Sequence, residues 1–261
     1  MNWFNNNFSE TSISWLLIAT SVSLLAGFIS SWLTYRFVKR RELMDTQKLE
    51  NEQMKQERLR IEVIRWSNPV LSSVRSLRSQ LRNILQSGYL AMSKDYKTKV
   101  NPNWSISYDY FMDSLSFLFG QYFAWVQMLQ SEMNFELFET QWEKDMFFSA
   151  IYEVSHCLSS FPPDYGCSGK DTQVFVLQQR AMGELMIIRE GESKRCMSYP
   201  EFYEKMKSED FRHHFQPLIA LIDGISPDDD CRWKRLQETT RALSELEMVC
   251  NRLLNIQSKG D

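Results

Sequence analysis

The chain has 261 residues, 43% hydrophobic and 24% charged, which is ordinary for a folded protein. Nine glycines and seven prolines are too few for a loop-rich all-β fold, and a net charge of −3 argues against a surface that coats nucleic acid. Thirteen methionines and 13% aromatic residues suit a bulky, adaptable helical interior.

The first charged residue after Glu10 is Arg36. Inside that gap, Ile13 to Leu33 offers about 21 residues, or roughly 31 Å of helix, which matches a bilayer's hydrocarbon core. Trp15 near one end, with Trp32 and Tyr35 near the other, fits an aromatic belt. Basic residues follow the apolar run at Arg36, Lys39, Arg40 and Arg41 and are absent before it, unlike a cleaved signal peptide. The positive-inside tendency then leaves residues 1–12 as a short external tail, 13–35 as the anchor, and the rest in the cytoplasm. Ala19, Ser23, Gly27 and Ser31 recur every fourth residue, a small-residue face that permits close approach of a second copy in the membrane.

Residues 36–66 read as a charged helical stalk. Arg41/Asp45, Lys48/Glu52 and Arg58/Glu62 stand four apart and support a solvated helix. A coiled-coil seam through Leu43, Met54, Ile61 and Ile64 is interrupted by Gln47, Glu50 and Glu57. Ser67-Asn68-Pro69 predicts a break and a fresh helix start, and residues 67–261 are expected to form one cytosolic α-helical domain.

Val74, Leu77, Leu81, Ile84 and Leu85 predict the next helix, ending near Gly88, with a loop through Lys99, Asn101 and Pro102. An aromatic helix is expected from Ser107 to Met133, its apolar face formed by Phe111, Leu115, Leu118, Tyr122, Trp125 and Leu129. A second membrane span over 111–129 is the alternative, disfavoured because Asp113, Gln121 and Gln127 would lie in lipid. Asn134 is the expected cap of a helix reaching His156 and stopped by Phe161-Pro162-Pro163. Thr172 to Ile188 reads as helix, with a short hairpin around Arg189 to Lys194. Ser198-Tyr199-Pro200-Glu201 has capping-box spacing. Helices are then expected from Phe211 to Ile222, ending at Gly224, and from Ser226-Pro227-Asp228-Asp229 onward through Leu236, Leu243, Val249, Cys250 and Leu253. The expected fold is mainly α: one N-terminal transmembrane helix, a polar stalk and a cytosolic bundle.

No Asp or Glu occurs from Val63 to Lys94, and Arg75, Arg78 and Arg82 share one arc of that acid-free helix. They suit an anion or partner site, or pairing with acids of the same domain such as Glu132, Glu136 and Glu139. Gly166-Cys167-Ser168-Gly169-Lys170 fails phosphate-loop spacing, because Asp164 stands where the first glycine belongs. His156/Cys157 and His213/His214 are adjacent pairs, whose side chains diverge by about 100° on a helix. Five cysteines, Cys157, Cys167, Cys196, Cys231 and Cys250, form no CxxC and read as reduced, partly buried thiols. Asp228, Asp229 and Asp230 read as acids favouring a helix start rather than a cation site.

No metal, cofactor or catalytic spacing emerges. The expected function is a membrane-tethered regulatory or interaction module, with the bilayer, a protein partner and a second copy as partners. The alternatives are a membrane-active stress or phage-defence effector, or a helical enzyme acting on a nucleotide or lipid phosphate.

Overall fold

A computed structural model describes residues 3–86, 90, 92–94, 97–101, 104–132, 140–160, 173–191, 193–228 and 230–258; within these, side chains are described except at 3–17, 19, 56, 58–60, 62–67, 97–101, 104–106, 230 and 253–258. The fold is mainly helical. In chain order the elements are α1 (Trp3–Gln86), β1 (Lys97–Asn101), β2 (Trp104–Ser107), α2 (Tyr108–Glu132), α3 (Gln141–Ser159), α4 (Val176–Leu185), β3 (Ile187–Glu190), β4 (Ser193–Cys196), α5 (Tyr199–Met206), α6 (Glu209–Ile222) and α7 (Asp230–Ser258). The chain divides into two compact units, Met1–Arg58 and Leu59–Asp261.

In the first unit every described side chain of α1 is exposed, including Leu24, Leu25, Phe28, Ile29, Phe37 and Val38. Among the described residues, no helix is long and apolar enough to cross a membrane. The expected membrane-crossing helix therefore gains no support there, and Ile13 to Leu17 and Ala19 of that segment lie outside the described side chains.

In the second unit α1 carries no break at Ser67-Asn68-Pro69; the helix runs through Pro69. An interior proline removes the bond to the carbonyl four residues earlier and costs about 3 kcal/mol. Immediately after it, Val70, Leu71, Val74, Leu77, Leu81 and Ile84 are buried, so packing of this stripe sets the helix where local propensity would end it. Gly88 lies outside the described residues.

Of the expected loop through Lys99, Asn101 and Pro102, Lys99 and Asn101 belong to β1, which pairs antiparallel with β2, Lys97 opposite Ser107 and Thr98 opposite Ile106; Pro102 lies outside the described residues. The β1–β2 hairpin leads directly into α2, which packs along α4 and also meets α5, α6 and β4. Leu115, Phe119, Tyr122, Ala124, Met128 and Leu129 are buried in this core, while Phe111, Leu118 and Trp125 are only half-buried. Residues 111–129 are thus a core helix.

The cap of α3 is Thr140, whose hydroxyl accepts from the Glu143 amide while the Glu143 carboxylate accepts from the Thr140 amide. Asn134 lies outside the described residues. α3 stops at Ser159 and packs along α7. The hairpin of β3 and β4 turns at Gly191, and α6 gives way at Gly224; both glycines have positive φ, of 64° and 62°.

The far end of α3 is tied by side chains from later elements. Arg235, wholly buried on α7, donates through its two terminal nitrogens to the carbonyls of Cys157 (2.5 Å) and Ser160 (2.8 Å). The Gln173 amide also donates to Ser160 (3.2 Å), and the Val174 amide to the Leu158 carbonyl (3.0 Å). Buried Gln179 of α4 donates to the carbonyls of Ser155 and Val174 and accepts from the Ser155 hydroxyl. Last-turn carbonyls carry partial negative charge and lack intrahelical donors, so a buried guanidinium suits them. Arg235→Met should cost about 3 kcal/mol by stranding two carbonyls, with Arg235→Lys between it and wild type in urea denaturation.

Candidate functional site

The arginine row on α1 faces α7, and two of its three members are already engaged. Arg75 donates from Nε to Glu247 Oε1 and from a terminal nitrogen to Asn251 Oδ1, both at 2.9 Å. Arg78 donates to the Ser244 hydroxyl at 3.0 Å and lies 3.0 Å from Glu247 Oε2, an ion pair without hydrogen-bond alignment. Of the acids expected to pair with them, Glu132 instead pairs with Lys194 at 2.6 Å, and Glu136 and Glu139 lie outside the described residues. Arg82 is exposed and makes no ion pair among the described residues.

The geometry follows from matched spacing. Arg75, Arg78 and Arg82 are spaced by three and four on one helix, as are Ser244, Glu247 and Asn251 on the other. The pairing order is reversed, so the two helices run antiparallel here. Glu247 is the keystone, with a side chain 13% exposed, against 25% for Arg78 and 53% for Arg75. Nearby lie buried Cys250 and Tyr122, whose hydroxyl has no hydrogen-bond partner among the described residues. An incoming phosphate would have to displace Glu247 from both guanidinium groups.

The remaining sequence candidates do not converge. His156 stacks on Tyr152, while Cys157 is buried on another side of α3. His213 and His214 are both exposed on α6. Burial pushes the thiols of Cys157, Cys196 and Cys250 up to about 11, 12 and 12, away from nucleophilic reactivity at neutral pH. Cys231 departs from the expected reduced set: it is disulfide-bonded. Cys167 and the whole 166–170 stretch lie outside the described residues. Among the described residues no three His, Cys, Asp or Glu side chains converge on a metal position. α7 does open at Asp230.

Sequence reasoning missed a site at the junction of α2, α5 and α6. Tyr110, Asp113 and Phe117 share a face of α2, and Tyr199 and Tyr203 share a face of α5. Tyr110 meets Tyr199 edge-on at 6.5 Å between ring centres; Phe117 lies 5.4 Å and Tyr203 6.4 Å from the same ring. Asp113 is only 8% exposed, yet makes no hydrogen bond or ion pair among the described residues. Its carboxyl is held above the ordinary 3.8, first by burial and further by Asp109, with Arg212 of α6 pulling the other way. Burial and then Asp113, Tyr110 and Tyr203 likewise raise the Tyr199 hydroxyl. The sequence signal was an aspartate three residues after a tyrosine, on the same helical face as Phe117. In the sequence the same aspartate reads as an obstacle to a membrane span.

Comparison with protein-family models, curated proteins and solved structures returns no match.

Two measurements follow. In a double-mutant cycle, Arg78→Gln and Glu247→Gln should couple by about 1–2 kcal/mol, with Arg75→Gln costing under about 1 kcal/mol because its side chain is half in water. Asp113 binds its proton more tightly folded than unfolded. Its contribution to stability is therefore complete below about pH 3.8 and lost as pH rises through the higher folded value. Asp113→Asn should raise Tm near neutral pH and leave it little changed in acid.

Proposed function

We propose that the chain is a membrane-tethered interaction module, with residues 13–35 held in lipid and the Leu59–Asp261 unit presenting a docking surface. The observation that carries the tether is the exposure of large apolar side chains along α1. Leu24 and Phe28 are each 75% exposed, with Leu25, Ile29, Trp32 and Phe37 also bare. So much contiguous apolar surface is unfavourable in water and calls for an apolar surrounding.

The end of this stretch supports lipid as that surrounding. The Arg36 guanidinium lies 4.8 Å from the centre of the Trp32 ring, and the Lys39 ammonium lies 5.5 Å from that of Tyr35 and donates to its hydroxyl at 3.3 Å. Paired aromatic and basic groups favour the headgroup layer. Ser23, Gly27 and Ser31 are exposed, and nothing lies within 4 Å of a Cβ added at Gly27. That openness allows a second copy to approach closely, which supports a homo-oligomer as one partner.

Arg36, Lys39, Arg40 and Arg41 argue for a C-terminal unit on the cytoplasmic side. The Cys231 disulfide pulls the other way, since such bonds persist in oxidising compartments. The basic flank acts during insertion, before a disulfide can form, so the orientation follows the charges.

Full-length protein should float with liposomes through alkaline carbonate, and Leu24→Glu with Phe28→Glu should release it. Recovery of the wild type in the soluble fraction would remove the tether. A fluorescent-protein fusion at the C-terminus should glow inside the cell; an active alkaline phosphatase fusion instead would reverse the orientation and give Cys231 its oxidising surroundings.

A further inference from the structure

Asp113 presents a chemical problem that the fold does not solve. Removing a carboxylate from water costs free energy unless a donor or cation replaces the lost hydration. The buried charged groups Arg235 and Glu143 each have hydrogen-bond partners, two carbonyls for Arg235 and the Thr140 amide for Glu143, whereas among the described residues the neutral Ser116 and Tyr122 hydroxyls have none. Asp113, 8% exposed, has neither a hydrogen bond nor an ion pair among the described residues. Asp109, one turn earlier and exposed, adds to the negative potential rather than relieving it.

What surrounds the carboxylate is aromatic. Tyr110 and Tyr203 are 43% and 45% exposed, with half-buried Tyr199 between them. Ring faces attract cations, and Tyr203 of the same cluster and Phe211 of α6 already do so toward the far end of α5. The Lys207 ammonium lies 4.9 Å from the Tyr203 ring centre while bonding Glu204 at 2.6 Å, and the Lys205 ammonium lies 5.7 Å from that of Phe211. Arg212 acts on Asp113 through charge, but its side chain is exposed and forms no ion pair with it.

We infer that Asp113, Tyr110 and Tyr199 form a docking point for an arginine side chain presented by a partner protein. A guanidinium is planar, stacks on a phenol ring and can give two parallel hydrogen bonds to one carboxylate, whereas an ammonium offers a point charge. The half-exposed rings leave the site open at the surface, which suits a side chain carried on another protein better than a small molecule needing enclosure. The docking point rests on the interaction-module reading, but not on the tether.

The test uses the full chain in lipid nanodiscs, titrated with acetyl-Ala-Arg-Ala-amide and, separately, with the same peptide carrying neutral citrulline in place of arginine. Tyrosine fluorescence and chemical shifts report binding. The arginine peptide should bind in the millimolar range and the citrulline peptide at least roughly tenfold more weakly. Asp113→Asn, which preserves shape, and Tyr110→Leu should each weaken the arginine peptide by roughly tenfold. Arg212→Gln should strengthen it by removing a competing cation. Equal binding of both peptides, no binding of either, or wild-type affinity in Asp113→Asn would overturn the docking point. Liposome flotation is independent of these readouts, so a failed tether and a failed docking point are distinguishable.

Discussion

Burial of the Arg235 guanidinium is the constraint from which much of the Leu59–Asp261 unit follows. A fully buried cation must find ligands, and here they are carbonyls at the end of α3. That choice fixes the rotation of α7 about its axis. Arg235, Thr239, Ala242, Leu243, Leu246 and Cys250, all buried, recur at helical spacing along one face. Glu247 lies beside that face, where Arg75 and Arg78 meet it. The same buried charge stops α3, since the carbonyls it occupies would otherwise need further helix or water. One side chain thus ends a helix and sets the phase of another. The Arg75–Arg78–Glu247 clamp is a consequence further along.

Charge is used in two opposite ways in this unit. Arg235 and Glu247 each meet partners of opposite polarity, although Arg235 Nε and Glu247 Oε2 lack a hydrogen bond among the described residues, and removing one member strands the others. Among the described residues Asp113 has no hydrogen bond or ion pair, and burial pushes its carboxyl toward the neutral form against the opposing charge of Arg212. Aromatic packing accounts for the rings: Phe117, Phe202, Phe211 and Phe215 form a chain of tilted and edge-on ring contacts through α2, α5 and α6. It gives no reason for a carboxylate among them. An asparagine or leucine would suit that position better on stability alone, which is why the residue reads as functional.

Elements whose stop signals are local were legible in the sequence. Gly191 and Gly224 sit at turns that need positive φ, and Glu201 accepts from the Ser198 amide at 2.8 Å as the Ser-Tyr-Pro-Glu spacing implies. Elements decided by tertiary packing were not. Pro69 reads as a helix break until Val70 and Val74 are known to be buried. Gly183, unremarkable in sequence, marks where α4 approaches α2: a Cβ there would meet the Phe123 carbonyl oxygen at 2.9 Å. The arginine row was visible because the acid-free stretch around it is unusual. Its partner was not, because Glu247 lies among many other acids and only the phase of α7 selects it. Asp113 was visible as a misfit, but pattern alone does not tell a membrane obstacle from a binding group.

The two ends of α1 show why apolar content alone does not identify surroundings. From Val70 to Ile84 the apolar residues keep helical spacing, occupy one arc and are buried by the rest of their own unit. From Ile18 to Val38 they do not keep to one arc. Leu24 and Leu25 are turned about 100° from each other, as are Phe28 and Ile29, and Phe37 and Val38, so apolar groups point several ways at once. A single partner helix would cover one side and leave the others in water. A continuous apolar medium covers all of them, and only the narrow strip through Ser23, Gly27 and Ser31 would favour contact with another helix. For this reason the proposed tether is lipid first and protein second. The aromatic and basic groups from Trp32 to Arg41 mark where that medium would end.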